Sequence, residues 1–376
     1  MSELASYSIQ AIFFALVAVV VVSRSTKTDL YQFAVISIWL VGVIAIYARY
    51  GEDHVLFYSN DQLFHQDVIE YYLPVEGIQV REMISLRYLL TVPVYFVSLL
   101  GFNAMLIIKF LQLTAFLLVY KRSQQFLSQQ SLHIRFWQLP LIAGPILIFM
   151  SMLSLRDVIL AYFALLFVSS SDRNSRILGL GGAFLLRPHL GVALAIGFIL
   201  SNLYSRWKPK FQSIAITAVA LLSYGIGTIA YWMGAVIQKG VGFDTPSTVF
   251  SQFKFSQLTA NFFGLQFLVL NNPDSQIVDA STFTLLLSRL VFFDTLLIPT
   301  LFLIAMFRHP EFLTKQKVLT FYAFLFFYGV VSQTSFNSTR QNIPFLTCMG
   351  LLAVVDIEHF RKVKAKVAPK LLMATR

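Results

Sequence analysis

Long apolar runs recur along the whole chain, each ended by a short polar cluster. That pattern constrains the fold more than any other feature, because runs of this length bury themselves in lipid rather than in a soluble core. Only 12% of the 376 residues are charged and 57% are hydrophobic, against about a quarter charged in an ordinary soluble domain. The expected fold is therefore all-α, a polytopic membrane protein of roughly ten or eleven transmembrane helices. The first run, 7–23, lacks a basic n-region and a small-x-small cleavage site, and a second run follows at once. It is read as a retained helix, not a signal peptide.

The net charge of +11 does not indicate nucleic acid, because the cations sit in small clusters between apolar runs. There they orient helices. The clusters are Arg24/Lys27, Lys121/Arg122/Arg135, Arg173/Arg176, Arg206/Lys208/Lys210, Arg308/Lys315/Lys317 and the tail from Arg361 to Arg376. The stretch 51–86 is the reverse, with Glu52, Asp53, Asp61, Asp67, Glu70, Glu76 and Glu82 against Arg81. Scarcity of Lys and Arg reads as the non-cytoplasmic side.

Threading follows from these signs. Runs 7–23 and 31–48 form a hairpin with the N-terminus outside, and 51–86 is an outer acidic loop. The run 87–100, holding Pro93 and ending at Gly101, is expected to lie along the outer interface. Run 103–120 then crosses inward, carrying Lys109. Run 138–153 leads outward, 158–170 returns, and 177–203 forms two short helices that meet at an outward polar turn, Arg187-Pro188-His189. The runs 213–237, 289–307, 318–332 and 343–357 complete the alternation, with an outer loop at 238–288. The whole of 1–376 reads as one membrane domain, with a core over 50–205 and further helices over 206–376. The single cysteine, Cys348, excludes an intramolecular disulfide.

This threading brings four polar groups to the outer side: Asp61 with Asp53 in the acidic loop, Arg156-Asp157, Arg187-Pro188-His189, and Arg340-Gln341. Ionisable residues that converge in this way are functional candidates. Each also has an ordinary role available. Arg156 and Asp157 suit helix ends, Arg187 can snorkel, His189 can be a packing residue, and Arg340 suits an exposed turn. Arginines present forked donors matched to phosphate oxygens, and a carboxylate opposite can take a proton from an acceptor hydroxyl. That combination fits glycosyl transfer from a lipid-linked phosphate. No metal-ligand spacing, P-loop or Gly-rich nucleotide fingerprint is present. Gly179-Leu180-Gly181-Gly182 lies within an apolar helix and reads as helix packing. Asn337-Ser338-Thr339 matches an N-glycosylation pattern that matters only in a eukaryotic secretory membrane.

The order of features resembles the multi-pass GT-C glycosyltransferases, which use lipid-phosphate sugar donors. The resemblance runs over about residues 50 to 205. It rests on Ser59-Asn60-Asp61-Gln62-Leu63-Phe64, Val92-Pro93-Val94-Tyr95, Leu100-Gly101-Phe102-Asn103, Lys109, Tyr120-Lys121-Arg122, Leu155-Arg156-Asp157 and Leu186-Arg187-Pro188. It implies a GT-C-like fold with an outer juxtamembrane helix, Asp61 as catalytic acid/base, and Arg156 and Arg187 on the donor phosphate, with Lys109 and Arg340 assisting. Asp157, His189, Gln341 and Asp53 are further site candidates. The chain departs from that family by an extra first helix, by the lack of tightly paired acids in the loop, and by a short C-terminal half. In that half it looks like the repeat-unit polymerases of bacterial O-antigen and exopolysaccharide assembly, the EpsG-like group included, whose site is centred on arginine. A lipid-linked glycan flippase is the competing class. The implied partners are a polyprenyl-linked sugar donor, a glycan or lipid acceptor and membrane lipids, with no nucleic acid. No cofactor and no protein metal site are expected, and a divalent metal is left open. The expected location is the bacterial inner membrane, with the active face periplasmic or extracellular.

Overall fold

A computed structural model describes residues 2–25, 30–51, 65–76, 88–132, 135, 138–204, 218–219, 221–222, 296–306, 314–331 and 342–374. Most of these residues are helical, with no strand among them. Four of their helices are long and apolar enough to cross a bilayer. Three shorter apolar helices accompany them, Asp157–Ser169, Pro188–Tyr204 and Leu296–Met306.

Helices α1 (Glu3–Ser25) and α2 (Leu30–Tyr50) pack as a hairpin. Tyr7 stacks on Tyr47, with ring centroids 3.7 Å apart and planes within 8°. The acidic loop contributes a π-helical turn, Val68–Tyr72, that runs on into Leu73–Glu76; the rest of 51–86 apart from Gly51 and 65–67 lies outside the described residues. Next comes α3 (Tyr88–Ser98), with Pro93 inside it. The chain then turns at Gly101, whose φ of 89° suits glycine and few other residues. Asn103 caps α4 (Ala104–Gln129) by accepting from the Leu106 amide at 2.8 Å. Gln10 of α1 braces the same turn, its Oε1 accepting from the Asn103 amide at 2.7 Å.

The α4 helix is the axis of the bundle, buried along most of its length. Beside it runs a discontinuous segment expected as one crossing over 138–153. The structure divides it into α5 (Leu139–Ile142) and α6 (Pro145–Ser151); after a second break at 152–156 comes α7 (Asp157–Ser169), over the separate run expected at 158–170. Proline explains the first break. Gly144, preceding Pro145, is extended at ψ 178°, as the steric demand of the following ring requires. Carbonyls released by these breaks have no water to turn to in an apolar bundle, so side chains must serve them. Tyr31 donates to the Ala143 carbonyl at 2.7 Å and Trp39 Nε1 to that of Ser151 at 2.9 Å. Gln112 Nε2 donates to the Leu155 carbonyl. Ser154 in turn donates to the Met105 carbonyl at 3.2 Å.

Helix α7 has 13 residues and α8 (Arg173–Leu186) has 14, so each is about 20 Å long and short of a full crossing. Asp172 caps α8 through the Ser175 amide at 2.8 Å, and that hydrogen bond holds its carboxyl below the ordinary range. Two of the glycines read as packing residues do face α7: a methyl on Gly179 would meet the Phe167 amide nitrogen at 2.6 Å, and one on Gly182 the Phe163 ring at 2.5 Å. At Arg187 the chain is extended, φ −155° and ψ 90°, again because a proline follows. It then reverses into α9 (Pro188–Tyr204). Helix α10 (Leu296–Met306) precedes α11 (Lys315–Val331), against which α9 packs closely, with Gly197 facing the Leu319 carbonyl. The last helix, α12 (Ile343–Ala374), has 32 residues. It runs well beyond the expected end at 357, through Arg361-Lys362-Val363-Lys364-Ala365-Lys366, which contains no helix breaker, and on past Pro369.

One end of the bundle is basic. There Arg122 Nε donates to Ser169 Oγ at 2.8 Å and its Nη2 to Ser170 Oγ at 2.9 Å, tying α4 to the end of α7. Arg176 Nε donates to the Ser170 carbonyl at 2.7 Å. Glu358 gathers Arg135 at 3.3 Å, Arg361 at 3.4 Å and Gln138 at 2.6 Å. Asn103 and the start of α1 lie at the opposite end.

Candidate functional site

Three helix ends meet away from the basic end: the N-terminus of α7, the C-terminus of α8 and the N-terminus of α9. The residues at this junction form a buried polar group in the apolar interior. Arg187 Nη2 donates to Asp157 Oδ1 at 3.0 Å, and the side chains are 3% and 1% exposed. The pair matches the helix dipoles, with an acid at the N-terminus of α7 and a cation at the C-terminus of α8. Buried charges of this kind are costly to desolvate and persist only with partners and good geometry.

A residue that the sequence did not single out builds the junction. Gln112, fully buried on α4, accepts from the Val158 amide at 3.0 Å and the Ile159 amide at 3.2 Å. With its Nε2 on the Leu155 carbonyl, one side-chain amide holds the chain on both sides of Arg156-Asp157. Gln112 thus serves the amide donors that begin α7. The signal for it was present: a glutamine in the middle of the apolar run 103–120 needs a buried partner.

The other expected site residues distribute as follows. Arg156 is half-buried in the N-cap position of α7. His189 is half-buried and stacks on Phe327 of α11, centroids 5.5 Å apart. Lys109 is buried and donates to Tyr7 Oη of α1 at 3.0 Å, about a turn along α4 from Gln112. Asp61, Asp53, Arg340 and Gln341 lie outside the described residues. The structure therefore brings together Asp157 and Arg187, with Arg156 and His189 adjoining them in sequence.

Lys317, read with Arg308 and Lys315 as a cluster that orients the helices, is only 1% exposed and pairs with Asp356 of α12, itself buried. Asp356 carried a readable signal as a lone acid closing the apolar run 343–357. Among the described residues no group of three or more His, Cys, Asp or Glu side chains is placed to hold a metal ion. No protein-family model, no curated protein and no solved structure matches the chain.

Proposed function

We propose that the chain is a membrane glycosyltransferase that moves a sugar or oligosaccharide from a polyprenyl-(pyro)phosphate donor in surface-glycan assembly. It works on the non-cytoplasmic face, in a bacterial inner membrane. The observation that carries this reading is the buried Arg187–Asp157 pair at the meeting of three helix ends. Ionisable groups inside a membrane bundle mark substrate paths, and a guanidinium beside two helix N-termini suits a phosphate. In this reading Arg187 holds the departing phosphate, with Arg156, Lys109 and Arg340 adding positive charge. Asp61 accepts the proton of the attacking hydroxyl as the anomeric C–O bond to phosphate breaks and the electron pair leaves on phosphate.

The test is purified protein in lipid nanodiscs with a synthetic polyprenyl-linked donor. Asp61→Asn is expected to lose about 10²–10⁴-fold in rate, the usual cost of a missing general base, with Asp53→Asn as the tolerant control. Arg187→Lys is expected to lose most turnover while still folding, checked by thermal unfolding. Activity that survives Asp61→Asn and dies with Arg187→Lys moves the reading to the arginine-centred polymerases. Loss of neither removes the glycosyl-transfer reading.

A second reading, a flippase for lipid-linked glycans, is favoured by depth. Asp157 stands at the far end of α7 from Ser169, about 18 Å by helical rise, within a hydrocarbon layer about 30 Å thick. Lys317 and Asp356 lie on the basic side of it. Charges at more than one depth are what a transport path needs. A fluorescent lipid-linked glycan that crosses proteoliposome leaflets without being consumed would select this reading.

A further inference from the structure

The cations at the basic end of the bundle are of two sorts. Arg135 and Arg361 are held by Glu358, and Lys317 by Asp356. Arg122 of α4, Arg176 of α8 and Lys315 of α11 are held by neutral groups instead. Two N–H groups of Arg122 donate to the buried hydroxyls of Ser169 and Ser170, at 2.8 Å and 2.9 Å. Arg176 Nε donates to the carbonyl of the same Ser170 at 2.7 Å. The Arg176 guanidinium lies 5.8 Å from the ring centroid of Phe198 on α9, and Lys315 Nζ lies 5.2 Å from the same centroid. One serine and one phenylalanine thus gather three cations from three helices. Among the described residues none of the three is in an ion pair. Asp172 attracts Arg122 from a greater distance, and its Oδ2 accepts from the Ser175 amide. Hydroxyls, a carbonyl and a ring orient these cations but do not cancel their charge, and like charges gathered in this way repel. Arg122 and Arg176 are half-buried and Lys315 is exposed, so an anion can reach them from the surface.

We propose that Arg122, Arg176 and Lys315 form a binding site for the phosphate headgroup of an anionic phospholipid, in the leaflet that the basic end faces. The surface beside them favours a lipid over a soluble anion. Ile177 and Leu178 follow Arg176, and Ile199 follows Phe198; the three are 58%, 59% and 56% exposed. Apolar surface left open on a membrane helix meets acyl chains. Cations next to such a surface match an amphiphile, with phosphate oxygens on the guanidinium forks and the chains against α8 and α9. A free phosphate uses only the first of these. Basic pockets between helices on the cytoplasmic side are a recurring form of headgroup recognition, and positive charge places this end on that side. A bound headgroup joins α4, α8 and α11 by one anion. The site stands apart from the reaction proposed for the Asp157–Arg187 end of the bundle.

The experiment uses the full chain, delipidated in a nonionic detergent and titrated with dioleoylphosphatidylglycerol or dioleoylphosphatidylcholine. Native mass spectrometry counts the bound lipid. The anionic lipid is expected to be retained in preference to the zwitterionic one. Arg176→Gln and Lys315→Gln are each expected to weaken that retention about fivefold, and the double variant about 25-fold, as follows from the usual contribution of one basic residue near an anionic surface. Lys362→Gln, which removes an exposed cation of the same end that donates to the Ser131 carbonyl, is expected to leave it unchanged. Arg122 also ties α4 to α7, so a measurement on the native protein takes the place of its variant. Dioleoylphosphatidylglycerol is expected to raise the unfolding temperature, and dioleoylphosphatidylcholine and inorganic phosphate to leave it where it was. Equal retention of the two lipids overturns the site. So does native-like retention by folded Arg176→Gln and Lys315→Gln proteins, or a loss in Lys362→Gln as large as theirs, which reduces the effect to diffuse attraction toward the basic end. Stabilisation by inorganic phosphate, or displacement of the lipid by it, overturns the lipid assignment and gives the three cations to a soluble anion.

Discussion

Among the described residues, three buried cations meet a partner on another helix. Arg187 meets Asp157, Lys317 meets Asp356, and Lys109 reaches Tyr7. Such pairs add little net stability over well-packed apolar residues, yet removing one partner is severe because the other charge is left in an apolar interior. Lys317→Met alone is accordingly expected to cost about 3–5 kcal/mol, and Lys317→Met with Asp356→Leu to recover most of that loss. Thermal unfolding in a mild detergent gives the comparison. A double variant as unstable as the single one would mean that Lys317 is held by something other than Asp356. The two pairs differ in how well they can be read from sequence. Arg187 announces itself because Pro188 follows it in mid-run. Lys317 does not, since it lies within a run of cations whose bulk role is orientation, and its partner is 39 residues away.

Short helices need close contact to be held, and glycine provides it at the α7–α8 and α9–α11 seams. Gly179 brings α8 onto the backbone of Phe163 and Phe167, while Gly181, two residues on, has nothing within 4 Å of an added methyl. These neighbours form a controlled pair. Gly179→Ala is expected to cost about 1–3 kcal/mol, because the clash is with main chain that cannot rotate away. Gly181→Ala is expected to be neutral or to stabilise by up to about 1 kcal/mol, the ordinary gain from alanine in a helix. Unfolding temperatures of the two variants decide it, and equal effects would show that the α7–α8 seam is looser than the contacts imply. From sequence, the Gly-Leu-Gly-Gly stretch reads as packing, but which glycine faces a neighbour depends on helix rotation, and that is settled by the partner. The break at Ala143–Gly144 is likewise marked by Pro145. The break at 152–156 has no proline or glycine, and is held from outside by Gln112 and Trp39.

Across the whole molecule the polar side chains sort by end. Arg122, Arg176 and Glu358 come from segments far apart in sequence and collect at one end with Ser169, Ser170 and Arg135. Gln10, Gly101 and Asn103 collect at the other. The sign pattern in the sequence anticipates this sorting for Arg122, Arg135, Arg176 and Arg361, cations that it reads onto one side. It does not anticipate burial: Asp157 and Arg187, read onto the outer side, are buried where three helix ends meet. Sidedness then follows from charge: the basic end is expected to face the cytoplasm. Cys348 is the sole cysteine and is buried, so a Cys348→Ala background reports on single introduced cysteines without interference. Ser2, Asp67, Ser128 and Lys362 are exposed, and Lys362 donates to the Ser131 carbonyl at 2.8 Å, which puts the last two at one end. An impermeant maleimide added to intact cells is expected to label Ser2→Cys and Asp67→Cys, and to label Ser128→Cys and Lys362→Cys only after permeabilisation. The inverse pattern would turn the molecule over and move the proposed reaction to the cytoplasmic face. Labelling of Ser2→Cys and Ser128→Cys from the same side would contradict the path of α4 through the bilayer, and with it the enclosed position of the Asp157–Arg187 pair.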